Sequence, residues 1–191
     1  MKRTNRTMTL AGTTPETVFT SEMHRQPLTI LEYSNVLDIS KAWRVKNFRV
    51  WIKSSQMEMD LLEDCLLNLK YQLNTDDMDT GWFNIGDNRT IGMGTTAYNV
   101  SGYGYNPSKT VTLGFTGAGV QLMNEEVFMK AEHVVQNKLV LGFQVIGPQA
   151  VVEAHSNTYT CNYLVELEEY DITPTESIIF NIKAKGQDLS S

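Results

Sequence analysis

The chain has 191 residues, of which 41% are hydrophobic and 20% charged, with a formal net charge of −6. This length suits one full β-sandwich core, and the composition excludes the polar, highly charged class of disordered chains. No apolar run approaches the roughly 20 residues of a membrane span, and the basic start lacks the apolar segment of a secretory signal. We therefore expect a folded protein made inside the cell, with no membrane partner.

The charge is divided unevenly along the chain. Residues 1–53 hold nine Lys or Arg against four Asp or Glu, a net +5, and residues 54–191 hold seven against eighteen, a net −11. Such asymmetry is typical of a protein with one surface that faces a polyanion. The alternative is chance clustering beside a solvated acidic face, and both interpretations stay open.

The first 20 residues contain seven threonines and no apolar period. This stretch predicts a flexible, weakly basic N-terminal arm over residues 1–20, followed by a single ordered domain over residues 21–191. Lys2, Arg3 and Arg6 give the arm enough positive charge for a few phosphate contacts, but far less than an arginine-rich packaging tail carries.

From residue 28 onward, short runs rich in β-branched and aromatic residues are bounded by Gly, Asn, Asp and Pro, which is typical of the strands of a β-sandwich. Three of them alternate with period two, and each therefore has a core face in an antiparallel sheet. These faces are Leu67, Leu69, Tyr71 and Leu73; Leu139, Leu141, Phe143 and Val145; and Tyr159, Cys161, Tyr163, Val165 and Leu167. The predicted strands cover residues 28–39, 43–53, 65–74, 81–85, 89–93, 110–115, 138–146 and 159–170.

Residues 41–53 interleave five cations with bulky apolar side chains, a combination suited to nucleic-acid phosphates and bases. On a regular strand the two faces are mixed, because Arg44 and Lys46 share a face with Phe48, while Arg49 shares the other with Val45. Either the strand passes from the core to a basic inner surface, or it is an edge strand protected by charge.

Helical signals are sparse. The sequence Thr173-Pro174-Thr175-Glu176 forms a capping box with proline at the first helical position, and it predicts a short C-terminal helix. Ile178, Ile179 and Ile182 could line one face of that helix, although their β-branching leaves a strand open. A second short helix over 56–64 competes with an extension of the following strand.

Residues 86–119 are rich in glycine and tyrosine and predict loops with brief strands, the kind of segment that carries contacts. Four aromatic side chains of this region are candidate anchors of a subunit interface. They are Tyr98, Tyr103, Tyr105 and Phe115. The pattern from Gly92 to Ala97 fits a dinucleotide-binding GxGxxA, but no helix is predicted after it, so we expect no dinucleotide.

We predict no catalytic, cofactor or metal site. His24, His133 and His155 are far apart in sequence and lack metal-ligand spacing, so we expect surface or loop histidines. Cys65 and Cys161 are too few for a disulfide framework, and we expect both to be packing residues. The protein is therefore not expected to be an enzyme.

Three stretches together resemble the single jelly-roll capsid proteins of small circular Rep-encoding single-stranded DNA viruses. They are Trp43-Arg44-Val45-Lys46-Asn47-Phe48-Arg49-Val50-Trp51; Asp87-Asn88-Arg89-Thr90-Ile91-Gly92; and the late block from Asn162 to Thr173 that continues to Lys185-Gly186-Gln187. This resemblance covers under half of the chain. The sequence departs from the family in lacking a long arginine-rich arm, which puts strong DNA condensation in doubt.

The resemblance implies an all-β fold, an antiparallel eight-stranded jelly-roll sandwich over residues 21–191 with short helices, one of them at the C-terminus. It also implies a structural virion protein, about 60 copies of which form an icosahedral shell around nucleic acid bound weakly to moderately. Lys2, Arg3, Arg6, Arg44, Lys46 and Arg49 are the candidate phosphate contacts. The alternative function is a non-enzymatic β-sandwich binding module, such as a phage fibre, a decoration protein or a lectin-like domain.

Overall fold

The computed structural model describes residues 1–18, 27–32, 40–56, 65–76, 83–100, 120–147 and 158–185. The protein is mostly β, as predicted, and its only helix in these ranges is the expected C-terminal one. The same ranges contain nine strands instead of eight. In chain order the elements are β1 (Lys2–Thr13), β2 (Thr17–Val18), β3 (Leu28–Glu32), β4 (Lys41–Gln56), β5 (Cys65–Asn74), β6 (Thr90–Val100), β7 (Val120–Met129), β8 (Lys138–Ile146), β9 (Thr158–Asp171) and α1 (Pro174–Lys185).

The strands form two antiparallel sheets. In the first sheet β9 is central, with β1 and β2 along one edge and β4 along the other. The second sheet has the order β3-β8-β5-β6-β7. Phe48 of β4 meets Tyr71 of β5 edge to face, and Phe143 of β8 meets Tyr159 of β9 in the same way. The hydrophobic core therefore lies between the two sheets.

The predicted core faces of β5, β8 and β9 are confirmed. Every residue assigned to those faces is buried except Tyr163, which is partly buried and packs against the same core. The predicted bounds of β5 and β8 match the structure, and β9 is one residue longer at each end than predicted. Residues 83–85, part of a predicted strand, form a turn instead. The predicted strand 110–115 and residues 57–64 of the alternative helix lie outside the described residues.

A β-bulge explains the mixed face pattern of β4. The register with β9 shifts between Val45 and Asn47, so one extra residue is accommodated at Lys46. Because of this shift Val45 and Phe48 both point into the core, whereas strict alternation placed them on opposite faces. Within the described residues β4 is an edge strand of the first sheet, in agreement with the second interpretation given above.

The N-terminal segment differs from the expected flexible arm. Residues 2–13 form β1, which pairs with β9 from Lys2 opposite Asp171 to Thr13 opposite Asn162. Met8 and Leu10 of this strand pack against the main core. The segment is therefore part of the first sheet, because non-local pairing with β9 orders a sequence whose own apolar period is weak.

The predicted capping box at the start of α1 is present. The Glu176 amide donates to Thr173 Oγ1 at 3.2 Å, and the Thr173 amide donates to Glu176 Oε2 at 2.8 Å. Ser177 is buried, and Phe180 packs against a small second core of Ala42, Val134 and Ile172. This inward face leaves the three isoleucines of α1 on the opposite, exposed side of the helix.

Residues 130–136, which we call the strap, connect β7 to β8 and join β4 to α1. Trp43 and Val135 exchange two backbone hydrogen bonds of 3.0 and 2.8 Å. Gln136 Nε2 donates to Ser177 Oγ of α1 at 2.7 Å. The strap therefore helps to hold α1 against the first sheet, together with the packing of Phe180.

Candidate functional site

The fold brings the predicted phosphate-binding cations together on one sheet. Lys2, Arg3 and Arg6 lie on β1, while the other three lie on β4, and the two strands flank β9. Sequence order alone separates the two groups by more than 35 residues. Pairing to a common central strand therefore creates a single candidate surface, the outer face and edges of the first sheet.

The centre of this surface is a cluster of two cations, one carboxylate and one phenol. Arg3 Nη2 lies 2.5 Å from Glu168 Oε1, and Arg44 is directly opposite Glu168 in the β4–β9 register. The Arg44 guanidinium carbon also lies 5.4 Å from the ring centroid of Tyr170, within cation–π range. The Arg44 guanidinium donates further to the Ala131 carbonyl. Acidic β9 thus partly neutralises the cations beside it.

Two further candidate cations have acidic neighbours. Arg6 Nη1 lies 3.8 Å from Glu169 Oε1, and Arg49 Nε lies 3.9 Å from Glu125 Oε1 on β7. Both arginines are largely exposed, so these ion pairs are screened and weak. Lys2 and Lys46 are exposed as well. The surface therefore alternates in charge instead of forming a uniformly basic stripe.

The four predicted interface aromatics have different outcomes. Tyr98 lies in β6, is 8% exposed and belongs to the main core. Its hydroxyl accepts a hydrogen bond from the Ile52 amide at 3.4 Å, and burial raises its pKa to about 12. The prediction of an exposed anchor at Tyr98 is thus wrong, because the loop interpretation missed the alternation of β6. Tyr103, Tyr105 and Phe115 lie outside the described residues.

The structure exposes apolar side chains that the interface prediction did not include. On α1, Ile178, Ile179 and Ile182 are 60%, 48% and 64% exposed. Positions three and four apart are neighbours on a helix, so the three side chains form one continuous patch, which we call the isoleucine face. The capping box and the spacing of the isoleucines placed them on one face of a helix, but the sequence did not show that this face is exposed.

A second exposed apolar group lies at the end of β7, which is an edge strand of the second sheet among the strands that the structure describes. Val127, Phe128 and Met129 are all exposed, with Phe128 at 58%. Sequence reasoning missed this strand because Glu125 and Glu126 interrupt its alternation. Exposed apolar side chains on an edge strand are a marker of contact with another chain.

The cysteines, the histidines and the glycine-containing pattern of β6 were also considered as possible sites in the sequence. Cys161 is buried and free, and burial raises the pKa of its thiol, as fits a packing residue. His133 is also buried, and it lies in the loop between β7 and β8, which is one of the two kinds of position expected for the histidines. His24, His155 and the Cys65 side chain fall outside what the structure describes. The pattern from Gly92 to Ala97 lies inside β6.

Two searches of the described part of the chain give negative findings. No group of three or more His, Cys, Asp or Glu in those ranges could hold a metal ion. No helix in them is long and apolar enough to cross a membrane. Comparison of the sequence with protein-family models and with curated proteins finds no match. We therefore argue function from the geometry of this chain.

Proposed function

We propose that this chain is a structural capsid protein that assembles with copies of itself into an icosahedral shell around a nucleic-acid genome. The single observation that carries the proposal is the isoleucine face of α1. Three large apolar side chains on a short helix are stabilising only when another surface covers them. A second copy of the chain is the partner that a shell supplies.

The strand order supports a jelly roll as the underlying fold. A jelly roll places its last strand between early strands in one sheet, and interleaves early and late strands in the other. Here β9 lies between β2 and β4, and the second sheet runs β3-β8-β5-β6. The departure is β7, which extends the second sheet beside β6, whereas a jelly roll places the corresponding strand beside β4.

Covering the isoleucine face contributes enough free energy for a contact that is repeated in every subunit. Full burial of an isoleucine side chain contributes about 1.5–3 kcal/mol, so covering the exposed part of each of these side chains contributes about 1–2 kcal/mol. Three such residues supply about 3–6 kcal/mol to each contact. Shells repeat the same contact in every subunit, so weak individual contacts still give a stable closed particle.

The genome contact in this proposal uses the outer face and edges of the first sheet. Its candidate residues are Lys2, Arg3, Arg6, Arg44, Lys46 and Arg49. Since β9 places glutamates between the two cationic strands, phosphate must compete with these carboxylates, and binding is weak to moderate and strongly dependent on salt. Other cations then share in neutralising the genome. The virion is the proposed location of the protein.

The experiment that tests the assembly surface compares Ile182→Lys with Asn181→Lys. Both residues are exposed neighbours on α1, and both variants add the same charge to the same helix. We expect Ile182→Lys to raise the protein concentration needed for particle formation about tenfold, because losing about 1.4 kcal/mol corresponds to that factor. Asn181→Lys should assemble like the unmodified chain.

Light scattering across a dilution series measures the particle mass of both variants, and thermal melting shows that both are folded. Equal assembly thresholds for the two variants, with equal melting temperatures, contradict the assignment of the isoleucine face as a subunit contact.

A further inference from the structure

His133 connects the strap to β4 through both of its ring nitrogens. Nε2 lies 3.0 Å from the Val45 amide nitrogen, and Nδ1 lies 2.6 Å from the Lys130 carbonyl oxygen. A backbone amide only donates and a carbonyl only accepts, so the ring carries its proton on Nδ1 and a lone pair on Nε2. The hydrogen bonds therefore require the neutral imidazole.

The same strap residues are held at other points. The Lys130 amide donates to the Ile91 carbonyl at 2.9 Å, and the Lys130 ammonium donates to the Asp87 carbonyl. At its other end the strap holds α1 through the hydrogen bond between Gln136 and Ser177. His133 lies between these two attachments, at the point where the strap crosses β4.

The charges around His133 come from every element packed against it. Arg44 belongs to β4, and Lys130 and Glu132 belong to the strap. His133 also lines a cavity of about 390 Å³ beside α1, which brings further charged groups close to it. In that cavity the lining charges are Arg44, Glu132, Glu176, Lys183 and the Met1 amino group. Including Lys130, four cations face two carboxylates, so the surroundings disfavour an added positive charge.

We propose that His133 is an acid-sensitive latch, whose protonation at Nε2 releases the strap from β4 and so removes the support that the strap gives to α1. The added proton points at the Val45 N–H, so a donor faces a donor and the hydrogen bond is lost. The imidazolium is also buried beside Arg44 and Lys130. The latch is a property of one folded chain and operates with or without assembly.

The direction of the pH dependence follows from linkage. Burial lowers the pKa of His133 below its ordinary value of 6.5, the hydrogen bond with the Lys130 carbonyl opposes this shift without reversing it, and the charges of Arg44 and Lys130 add to the lowering. Above pH 6.5 the imidazole is neutral in the closed and open states, and the latch contributes fully. As the pH falls below 6.5, the open state takes up the proton first, and the closed state loses stability until His133 itself titrates.

Hydrogen exchange of individual amides tests the latch. We compare the Val45 and Trp43 amides at about pH 7.5 and about pH 5, after correction for the intrinsic exchange rate. In the unmodified chain both protection factors should fall about tenfold at the lower pH. Each pH unit between the pKa of His133 in the open state and its pKa in the closed state changes the equilibrium between these states up to tenfold. The Leu69 amide in β5 should keep its protection.

In His133→Gln the side-chain oxygen can still accept from Val45 but cannot be protonated in this pH range, so protection should be equal at both pH values. The matched control replaces the other two histidines, His24→Gln with His155→Gln, and should keep the original pH dependence. Unchanged Val45 protection in the unmodified chain, or an undiminished pH effect in His133→Gln, overturns the proposal. If His133→Gln fails to fold, an NMR titration of His133 decides: the latch requires a midpoint below pH 6.5.

Discussion

At the scale of single residues, glycines in the middle of β6 make room for aromatic rings. An ideal Cβ on Gly94 lies 2.3 Å from Cζ of Tyr71, and one on Gly92 lies 3.0 Å from Cε1 of Phe48 and 2.6 Å from the Phe128 carbonyl oxygen. Tyr71 in turn meets Phe48 edge to face across the two sheets. The two glycines that resemble part of a nucleotide-binding motif are therefore explained by packing.

Gly94→Ala should destabilise the fold by about 1–3 kcal/mol, because the added methyl group overpacks the site against the Tyr71 ring. Urea unfolding at equilibrium measures this change. Gly86→Ala is the matched control in an exposed turn, where the nearest atom is the flexible end of Asn84, and it should cost about 0.5 kcal/mol or less. Equal costs at the two positions contradict the packing role of Gly94.

A second residue-scale feature is the compact turn before β6. Asp87 Oδ1 accepts from the Arg89 amide at 2.8 Å, and Oδ2 accepts from Arg89 Nη2 at 3.0 Å. Burial raises the pKa of Asp87, but the hydrogen bonds and charge of Arg89 outweigh it and the net shift is downward. The Asp87-Asn88-Arg89 stretch quoted for the family resemblance thus has a structural role in this chain.

At the scale of elements, the charge balance of the first sheet comes from strand pairing. Glu168 on β9 contacts Arg3 on β1 and stands opposite Arg44 on β4. A carboxylate between two arginines reduces the attraction of both for phosphate, by about 1 kcal/mol where the charges are solvated. A variant that removes only the Glu168 charge tests whether Arg3 and Arg44 bind phosphate or have a purely structural role.

Glu168→Gln should raise the affinity for single-stranded DNA about threefold to fivefold at low salt, because it removes the carboxylate charge that Arg3 and Arg44 share. Fluorescence anisotropy over a salt series measures the affinity. Glu126→Gln makes the same change in net charge on β7 of the second sheet and should leave binding nearly unchanged. Equal gains from both variants, or no salt dependence, contradict the proposed genome surface.

The elements also show what the sequence could predict. Alternation identified β5, β8 and β9, because each has one face in the core and its pattern is local. The pattern failed for β1, whose apolar face is little more than Met8 and Leu10 and whose order comes from pairing with β9, about 155 residues away in sequence. It failed at β4 because the bulge at Lys46 reverses the faces of the residues that follow it, so that Val45 and Phe48 are both buried.

The candidate site was predicted less well than the fold. The sequence indicated the six candidate cations, but their partner carboxylates on β9 and β7 are set by strand register, which composition does not reveal. The capping box predicted α1, yet whether Ile178, Ile179 and Ile182 face the core or solvent depended on where Ser177 and Phe180 pack. His133 appeared unremarkable in sequence because its partners, Val45 and Lys130, are backbone groups.

At the scale of the whole molecule, exposed apolar and charged features lie on different elements. The isoleucine face is on α1, a second apolar group ends β7, and the cations flank β9. A subunit of a closed shell needs surfaces of both kinds, one for its neighbours and one for its contents. The net charge of −6 fits a protein whose genome contact is light.

The capsid proposal depends on self-assembly, which the particle mass of the purified protein measures. Light scattering at low and high salt, with electron microscopy of the same peak, should show closed shells near 1.3 MDa if about 60 copies of 21.6 kDa assemble. A monodisperse monomer or trimer at every salt concentration contradicts the capsid proposal.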